Sequence, residues 1–442
     1  MKKERLFGTD GVRGRFGFFP LDEPSLIRLG RAIGEVYEGR SLIIGRDTRE
    51  SGTQIEELLA RGIAGRCHLA SAGVIPTPGL SYLTRTGRYD AGIVISASHN
   101  PYLDNGIKLF NRMGEKISER TERLIEHHFA AVSPLGGTPE ISRIDGSARY
   151  HAFLMQAAGD LDGGDGPVHR LVIDCANGAA ATFAPDVFAE LGFDFHLLGN
   201  QPDGRNINHG VGSTSPASLQ EMVTARRADL GIAFDGDADR MVWVDPRGHL
   251  LDGDHTLLAL ASSLLGEGSP HARVVVGTVM TNLGLELTLQ KMGIGFCRTD
   301  VGDRFVAREM KRLKAIIGGE PSGHTIVRTW QPSGDGILSA LMVLNALRGL
   351  GITASELYDR LPRFPQKTVS IRVRERRDLA GWEALQRLLR RFHEDHGKNS
   401  RLLVRYSGTE AKIRVMMESS DPMVIEKKLD PILREIASQI GE

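Results

Sequence analysis

The chain predicts an α/β protein of three similar domains followed by a smaller C-terminal α+β domain. Three observations lead there. At 442 residues it is too long for one ordinary core. Short, continuous apolar runs alternate with helix-like segments, the pattern of sheets covered on both faces. A pair of such runs recurs three times, whereas the last ~80 residues switch to alternating strands and amphipathic helices.

The first unit, residues 1–150, offers Ser41–Gly45 as a strand. Its second strand, Asp90–Ile95, leads into Ser96-Ala97-Ser98-His99-Asn100-Pro101. In the second unit, 151–254, Arg170–Asp174 is followed by Asp229–Phe234, which leads into Asp235-Gly236-Asp237-Ala238-Asp239-Arg240. In the third, 255–363, Arg273–Gly277 is followed by Lys314–Gly318, which leads into Gly319-Glu320-Pro321-Ser322-Gly323-His324. Each pair is far enough apart for a helix and a crossover. Each unit thus presents one polar loop beyond a strand end, where open α/β sheets favour ligands. Loops are expected at Gly136–Gly137 and Gly159–Gly166. In the fourth unit, 364–442, Lys367–Glu375 alternates, with Val369, Ile371 and Val373 on one face. Trp382–Phe392 has helical spacing, Leu402–Val404 and Ile413–Met417 read as strands, and Met423–Ile440 closes as a helix.

Bulk properties exclude more than they assign. Lys+Arg and Asp+Glu are 55 each, so net charge gives no argument for nucleic acid or an anionic membrane as partner. The hydrophobic fraction of 41% and charged fraction of 25% are those of a soluble globular protein. The start, Met1 to Leu6, leads into no apolar stretch of the signal-peptide kind. The most apolar run, near Leu257–Leu265, is too short to span a bilayer. Cys67, Cys175 and Cys297 are scattered without zinc-ligand spacing, as expected of a reduced cytoplasmic protein.

The chemistry sits in the loops. Asp235, Asp237 and Asp239 follow a strand at alternate positions, so in extended chain they point to one side. Carboxylates converging in this way repel unless a cation lies between them, and hard oxygen ligands suit Mg²⁺ or Ca²⁺. A calcium loop of the EF-hand kind needs Gly at the sixth position and Glu at the twelfth. Arg240 and Pro246 stand there, so that reading fails. Arg240, beside the cluster, suits a phosphate oxygen. Ser98 lacks the Gly-x-Ser-x-Gly elbow of acyl hydrolases. With a metal cradle in the next unit, it reads as a nucleophile or phosphate carrier rather than a turn serine. His99 could hydrogen-bond a phosphate or cap a turn. Lys108, buried near a cation, would have a lowered pKa and act as general acid or base. Phe7-Gly8-Thr9-Asp10-Gly11-Val12-Arg13-Gly14 combines glycines that admit an anion with the charge of Arg13. Glu320, Ser322 and His324 can pair with vicinal sugar hydroxyls. Arg405, Ser407, Gly408 and Thr409, with Arg414 on the next strand, make a phosphate cup.

Taken together and in this order, the four loops resemble the signature motifs of the α-D-phosphohexomutase superfamily over nearly the whole chain. The opening Phe7–Gly14 and the length are most similar to its bacterial amino-sugar branch. The resemblance implies three similar mixed-sheet α/β domains plus the smaller fourth one around a central cleft. It implies that Ser98 is phosphorylated in the active enzyme, and that Asp235, Asp237 and Asp239 bind one Mg²⁺ per subunit with the phosphoserine oxygen. It further implies that Glu320, Ser322 and His324 read sugar hydroxyls and that Arg304 lines the sugar site. Arg405, Ser407, Gly408 and Thr409 would hold the phosphate that does not react, while Arg13, Lys108 and His99 assist proton transfer and charge balance. A sugar 1,6-bisphosphate would be intermediate and activator, and a homodimer is the implied assembly. One position departs. The amino-sugar branch commonly carries Gln after the loop glutamate, and this chain has Pro321. Mannose or glucose phosphate is therefore the alternative substrate.

Overall fold

The computed structural model describes residues 6–8, 10–164, 166–265, 273–407 and 411–442. The chain divides into two compact units. One comprises Met1–Thr278 with Cys297–Arg360, the other Val279–Phe296 with Leu361–Glu442.

The first unit contains three sheets. The first is formed by β1 (Val12–Arg15), β2 (Ser41–Arg46), β3 (His68–Val74), β4 (Ala91–Ile95), β5 (Asp104–Asn111) and β6 (Ile141–Arg143), in the order β1-β5-β4-β2-β3-β6. Its helices are α1 (Glu23–Val36), α2 (Ser51–Ile63), α3 (Thr77–Thr86), α4 (Glu119–Ala131) and α5 (Ser147–Ala158). Asp22 starts α1 by accepting from the Ser25 amide, with Pro24 in the first turn, a favourable combination for a helix N-terminus. Leu26, Leu29 and Ile33 of α1 join Ile55 and Leu59 of α2 in the core over Leu42, Ile44, Ile93 and Ile107 of the sheet. The second sheet has β7 (Arg170–Asp174), β8 (Asp194–Leu198), β9 (Leu230–Phe234), β10 (Met241–Val244) and β11 (Leu250–Leu251) in the order β11-β10-β9-β7-β8, with α6 (Ala184–Glu190) and α7 (Ala217–Arg226). After α8 (Gly253–Leu264) come β12 (Val274–Thr278), α9 (Leu283–Lys291), β13 (Gly295–Thr299), α10 (Asp303–Leu313), β14 (Ile317–Gly319), β15 (Thr325–Val327), α11 (Gly336–Leu350) and α12 (Ala354–Arg360). The third sheet runs β13-β12-β14-β15.

One plan repeats in all three sheets. β2 and β4, β7 and β9, and β12 and β14 are parallel neighbours. β4 then turns antiparallel onto β5, β9 onto β10, and β14 onto β15. Each polar loop singled out above is that reversal. The parallel strands β4 and β9 are buried at every position, which is why they read as unbroken apolar runs. The third echo is shorter than its sequence suggests. Lys314 and Ala315 belong to the end of α10, which Lys314 closes in a left-handed conformation at φ 56°, so the strand starts only at Ile317.

In the second unit, β16 (Gln366–Arg372), β17 (Ser400–Tyr406) and β18 (Lys412–Ser419) form an antiparallel sheet in the order β16-β18-β17. Trp382, Leu385 and Phe392, at the start of and along α13 (Glu383–His396), share a core with Val415, Met417 and with Ile425 and Ile436 of α14 (Pro422–Ile440). The segment carrying α9 is tied in where the Leu283 amide donates to Glu418 Oε1 at 3.0 Å and Arg401 donates to the Thr281 carbonyl at 3.0 Å. Among the described residues no single helix is long and apolar enough to cross a membrane.

Candidate active site

The Ser98 loop is fixed from behind. Ser98 adopts φ 53°, a left-handed conformation uncommon outside glycine. Its amide donates to Ser96 Oγ at 2.9 Å, and Ser96 Oγ donates to Asp47 Oδ2 at 2.6 Å. Arg49, fully buried, donates to three carbonyls of the loop: Ser98 at 3.0 Å, Asn100 at 2.8 Å and Pro101 at 2.5 Å. Its Nε donates to Asp47 at 2.9 Å, and Asn208 Nδ2 donates to the Ser98 carbonyl at 2.9 Å. Burial lifts the Asp47 pKa even against the Arg49 charge. Sequence reading passed over Asp47, Arg49 and Asn208. The one signal was an acid–base pair spaced i, i+2 at the end of a strand.

The three aspartates converge by a turn, which corrects the expectation of extended chain. The Ala238 amide donates to the Asp235 carbonyl at 3.0 Å and Ala238 lies at φ 56°. Gly236 has no side chain because a Cβ there would meet the Ser98 carbonyl oxygen at 2.7 Å. One oxygen from each carboxylate of Asp235, Asp237 and Asp239 lies within 4.8 Å of the others, and all three residues are buried. Ser98 Oγ donates to Asp235 Oδ2 at 2.5 Å, so the serine of one sheet meets the acidic loop of the next. Thr77 Oγ1 and Lys108 Nζ both donate to Asp237 Oδ2, at 2.6 and 2.7 Å. Asp237 Oδ1 and Asp239 Oδ1 are buried with no hydrogen-bond partner. Burial and then its neighbours Asp239 and Asp237 hold the Asp235 carboxyl well above its usual pKa. Two orphaned, buried carboxylate oxygens in an oxygen-only cluster fit a hard divalent cation.

Lys108 lies opposite this cluster and departs from its expected pKa. Burial alone would lower it, but Asp10, Asp237 and Asp239 surround the ammonium and hold its pKa well above the lysine range. Lys108 is therefore a fixed positive charge here. Asp10 connects it outward, with Asp10 Oδ2 3.7 Å from Lys108 Nζ and bonded to Arg13 Nη2. Desolvation would raise the pKa of the partly exposed Asp10, yet Lys108, Lys116 and Arg13 together hold it well below the usual range. His99 Nδ1 lies 3.3 Å from Ser98 Oγ. Burial, then the charges of Arg240 and Arg13, lower the His99 pKa to about 4, so the ring is neutral at pH 7. Arg240 sits at 3.7 Å from Asp239 and 3.9 Å from Asp235, on the rim of the cluster.

The third loop packs on the second. The Met241 amide donates to the Gly323 carbonyl at 3.1 Å, and the Gly253 amide to the Pro321 carbonyl at 3.1 Å. Glu320 Oε1 accepts from the Gly302 amide at 3.0 Å, Ser322 is exposed, and His324 is buried with Nδ1 lacking a hydrogen-bond partner. His324 Nε2 lies 3.7 Å from Asp303 Oδ2. A cavity of about 410 Å³ is bounded by Lys116, Asp239, Asp303, Arg304 and His324 among others. Arg304 Nη2 is anchored there on Glu122 Oε1 at 2.5 Å. Lys116, Asp303 and Thr77 are functional candidates the sequence did not mark.

In the second unit Arg405 and Arg414 are directly opposed across β17 and β18. Directly opposed side chains share a face, so both arginines rise from the same face of the sheet. Ser407 is buried, its amide donating to the Lys412 carbonyl at 2.8 Å and its carbonyl accepting from Arg376 at 2.6 Å. Gly408 and Thr409 lie outside the described residues.

Four family models match the chain in order. They are phosphoglucomutase/phosphomannomutase alpha/beta/alpha domain I over residues 4–135, domain II over 161–248, domain III over 252–364, and the C-terminal domain over 369–434. Phosphoglucosamine mutase of Deinococcus radiodurans is 43% identical, covering 100% of this chain and 99% of the relative. That of Solibacter usitatus is 42% identical over 99% of each. Among solved structures, a phosphoglucomutase/phosphomannomutase family protein from Burkholderia thailandensis superposes with a TM-score of 0.81 at 23% identity over 100% of both chains. Aspergillus fumigatus N-acetylphosphoglucosamine mutase, solved in complex with GlcNAc-6P and magnesium, gives 0.67 at 18% identity, covering 97% of this chain and 94% of that one. At these identities the structural likeness speaks to the fold.

Proposed function

The chain belongs to the phosphoglucosamine mutases of the phosphohexomutase superfamily, and from that premise we propose that it interconverts glucosamine 6-phosphate and glucosamine 1-phosphate with Ser98 as phosphoryl carrier. The observation that carries this is the 2.5 Å contact between Ser98 Oγ and Asp235 Oδ2, which sets a nucleophile from one sheet against the acidic cluster of the next.

Phosphorylated Ser98 gives its phosphoryl group to the free sugar hydroxyl. The serine P–O bond breaks as the new P–O bond forms; the sugar hydroxyl gives its proton to a neighbouring base, and the released Ser98 Oγ takes up a proton. The product is a sugar 1,6-bisphosphate. Once the bisphosphate has turned over in the cleft, Ser98 Oγ attacks its other phosphate: the Oγ–P bond forms as the bond from that phosphorus to the sugar oxygen breaks. The serine proton passes to a neighbouring base and the sugar oxygen takes up a proton, which restores phosphoserine and leaves the isomeric monophosphate. His99 supports this: it is neutral at pH 7 and its Nδ1 lies within reach of Ser98 Oγ. Lys108 and Arg13 supply fixed positive charge against the transferring group. Arg240 and Arg304 are assigned to the sugar phosphate, Glu320, Ser322 and His324 to sugar hydroxyls. Arg405, Ser407, Gly408, Thr409 and Arg414 are assigned to the phosphate that does not react. Asp235, Asp237 and Asp239 would hold one Mg²⁺ with the Ser98 oxygen, and that ion would supply charge neutralisation at phosphorus. A sugar 1,6-bisphosphate would reload an empty Ser98 and so act as activator. Domain limits near residues 150, 254 and 363, a homodimer and a cytoplasmic setting complete this reading. The free Cys67, Cys175 and Cys297 support the last of these.

Pro321 favours one alternative, mannose or glucose phosphate as substrate. The test is a substrate panel. Protein with Mg²⁺ and a trace of sugar bisphosphate is given glucosamine, glucose and mannose phosphates, with Ser98→Ala alongside. A kcat/KM about tenfold or more higher for glucosamine 6-phosphate, some 1.4 kcal/mol, establishes the amino-sugar substrate. Preference for mannose or glucose phosphate overturns that substrate. Unchanged turnover in Ser98→Ala overturns the phosphoserine route.

A further inference from the structure

One partly buried ammonium joins the two ends of the site. Lys116 follows the hairpin after β5, and its Nζ lies 2.5 Å from Asp10 Oδ1 and 2.5 Å from Asp303 Oδ2. Asp10 belongs to the N-terminal Phe7–Gly14 segment and is in contact with Lys108 and Arg13. Asp303 is the first residue of α10 and faces His324 of the third loop. Lys108 in turn contacts Asp237 at 2.7 Å and Asp239 at 3.3 Å. The result is an unbroken alternation of charge from Asp303 through Lys116, Asp10 and Lys108 to the acidic cluster, with His324 in contact with Asp303 at its outer end. Lys116 bounds the 410 Å³ cavity together with Asp239, Asp303 and His324, so it stands in the wall of the space between the third loop and the cluster. Two further ion pairs span the same seam, Arg304 with Glu122 at 2.5 Å and Lys311 with Glu115 at 3.3 Å. These lie outside the alternation, whereas Lys116 lies within it.

We propose that Lys116 is a positioning residue that sets the third loop, through Asp303 and His324, at the working distance from Ser98 and the acidic cluster. It touches no reacting atom. An ammonium bridging two partly buried carboxylates, at 2.5 Å from each, is held from both sides by charge-assisted contacts and so fixes the separation of the segments that carry them. The sugar is gripped by one loop and phosphorylated from another, so their spacing enters the rate directly. A misplacement of about 1 Å at a reacting centre is worth about 10²-fold in rate. The role rests on the mutase reading above.

The experiment compares Lys116→Met and Lys116→Arg with wild type, using whichever hexose phosphate wild type turns over fastest. A failure of the amino-sugar assignment therefore leaves this test intact. Thermal unfolding and intact mass after incubation with glucose 1,6-bisphosphate accompany the kinetics. Positioning predicts that folded Lys116→Met loses at least about tenfold in kcat, with KM changed less than about threefold. It also predicts that Ser98 is still phosphorylated and that Lys116→Arg recovers part of kcat. A merely structural role predicts a lower melting temperature with kcat per folded molecule unchanged, and that result overturns the proposal. So does a loss confined to KM. If Lys116→Met does not fold, Asp303→Asn, which weakens only one side of the bridge, must show the same fall in kcat, and a wild-type kcat there overturns it equally. Wild-type inactivity on every sugar phosphate overturns this proposal together with the mutase reading.

Discussion

Arg49 donates to the Ser98 carbonyl at 3.0 Å from a position with no exposure to solvent, and the same guanidinium holds the carbonyls of Asn100 and Pro101. The left-handed backbone of Ser98 thus persists because its surroundings over-determine it. Arg49→Met would remove one donor from each of three carbonyls, leaving them to Asn208 and the Asp104 amide, and would leave Asp47 buried without its guanidinium partner. Breaking a buried pair of this kind costs about 3–5 kcal/mol. The expected outcome is a clear drop in melting temperature together with slower phosphorylation of Ser98 by a sugar bisphosphate. A variant that melts like wild type and loads Ser98 at the same rate would show that the loop holds itself.

Asp237 and Asp239 each leave one buried oxygen unsatisfied, and a cation is the partner their geometry suits. A ligand that binds only the folded chain stabilises it, by about 2.7 kcal/mol at one hundred times its Kd. Added Mg²⁺ should therefore raise the melting temperature of wild type in a saturable way. Asp237→Asn should need more Mg²⁺ for the same rise, since it removes one of three anionic ligands. Identical Mg²⁺ titrations of the two proteins by differential scanning calorimetry would rule out the cluster as the site.

How much of this the sequence discloses depends on distance along the chain. β4 and β9 are legible because burial on both faces leaves an unbroken apolar run, and their loops follow at once. Asp235, Asp237 and Asp239 are legible as a set, but the turn that gathers them is not, because it depends on Ala238 taking a left-handed conformation that no residue type announces. Lys116 is illegible for another reason. Its partner Asp10 is 106 residues away, and a lone lysine after a hairpin reads as a solvated one until the third sheet is in place. The same holds for Thr77, 160 residues from the Asp237 carboxylate it contacts. The direction of the Lys108 shift also escaped the sequence. Burial of a lysine is guessable from a strand interior, whereas the three carboxylates that outweigh burial arrive from two other segments.

Asp335, whose neighbour Gly336 donates to the Ala238 carbonyl of the acidic loop at 2.9 Å, offers a pH test. Its carboxylate caps α11 by accepting from the Leu338 amide at 3.0 Å, and it accepts from Tyr150 OH at 2.9 Å and Gln331 Nε2 at 3.2 Å. Burial lifts its pKa to about 7, against those hydrogen bonds. The folded chain therefore binds the Asp335 proton more tightly than the unfolded chain does. That stabilisation is complete below the ordinary carboxylate pKa and is lost as pH rises through about 7. Its size is on the order of 4 kcal/mol. Between pH 5 and 8, Asp335→Asn, which keeps the cap, should lose less stability than wild type. Parallel melting-temperature curves over that window would show that Asp335 titrates as an ordinary carboxylate.

Gly253 fixes the third loop from the other side. It opens α8 and donates its amide to the Pro321 carbonyl at 3.1 Å. A Cβ at Gly253 would stand 1.9 Å from the Glu320 carbonyl oxygen and 3.0 Å from the Gly323 amide nitrogen. Neither atom is the end of a flexible side chain, so Gly253→Ala must displace the loop backbone that carries Glu320, Ser322 and His324. Some stability is lost with that displacement, and kcat/KM per folded molecule for the sugar phosphate falls by about tenfold or more as the loop's hydroxyl-reading groups leave their places. Because Arg49, Asp47 and the acidic cluster are untouched, loading of Ser98 by a sugar bisphosphate should fall far less than turnover. Wild-type kcat/KM in Gly253→Ala would mean that the third loop does not set the position of the sugar, and would move that role to the arginines across the site.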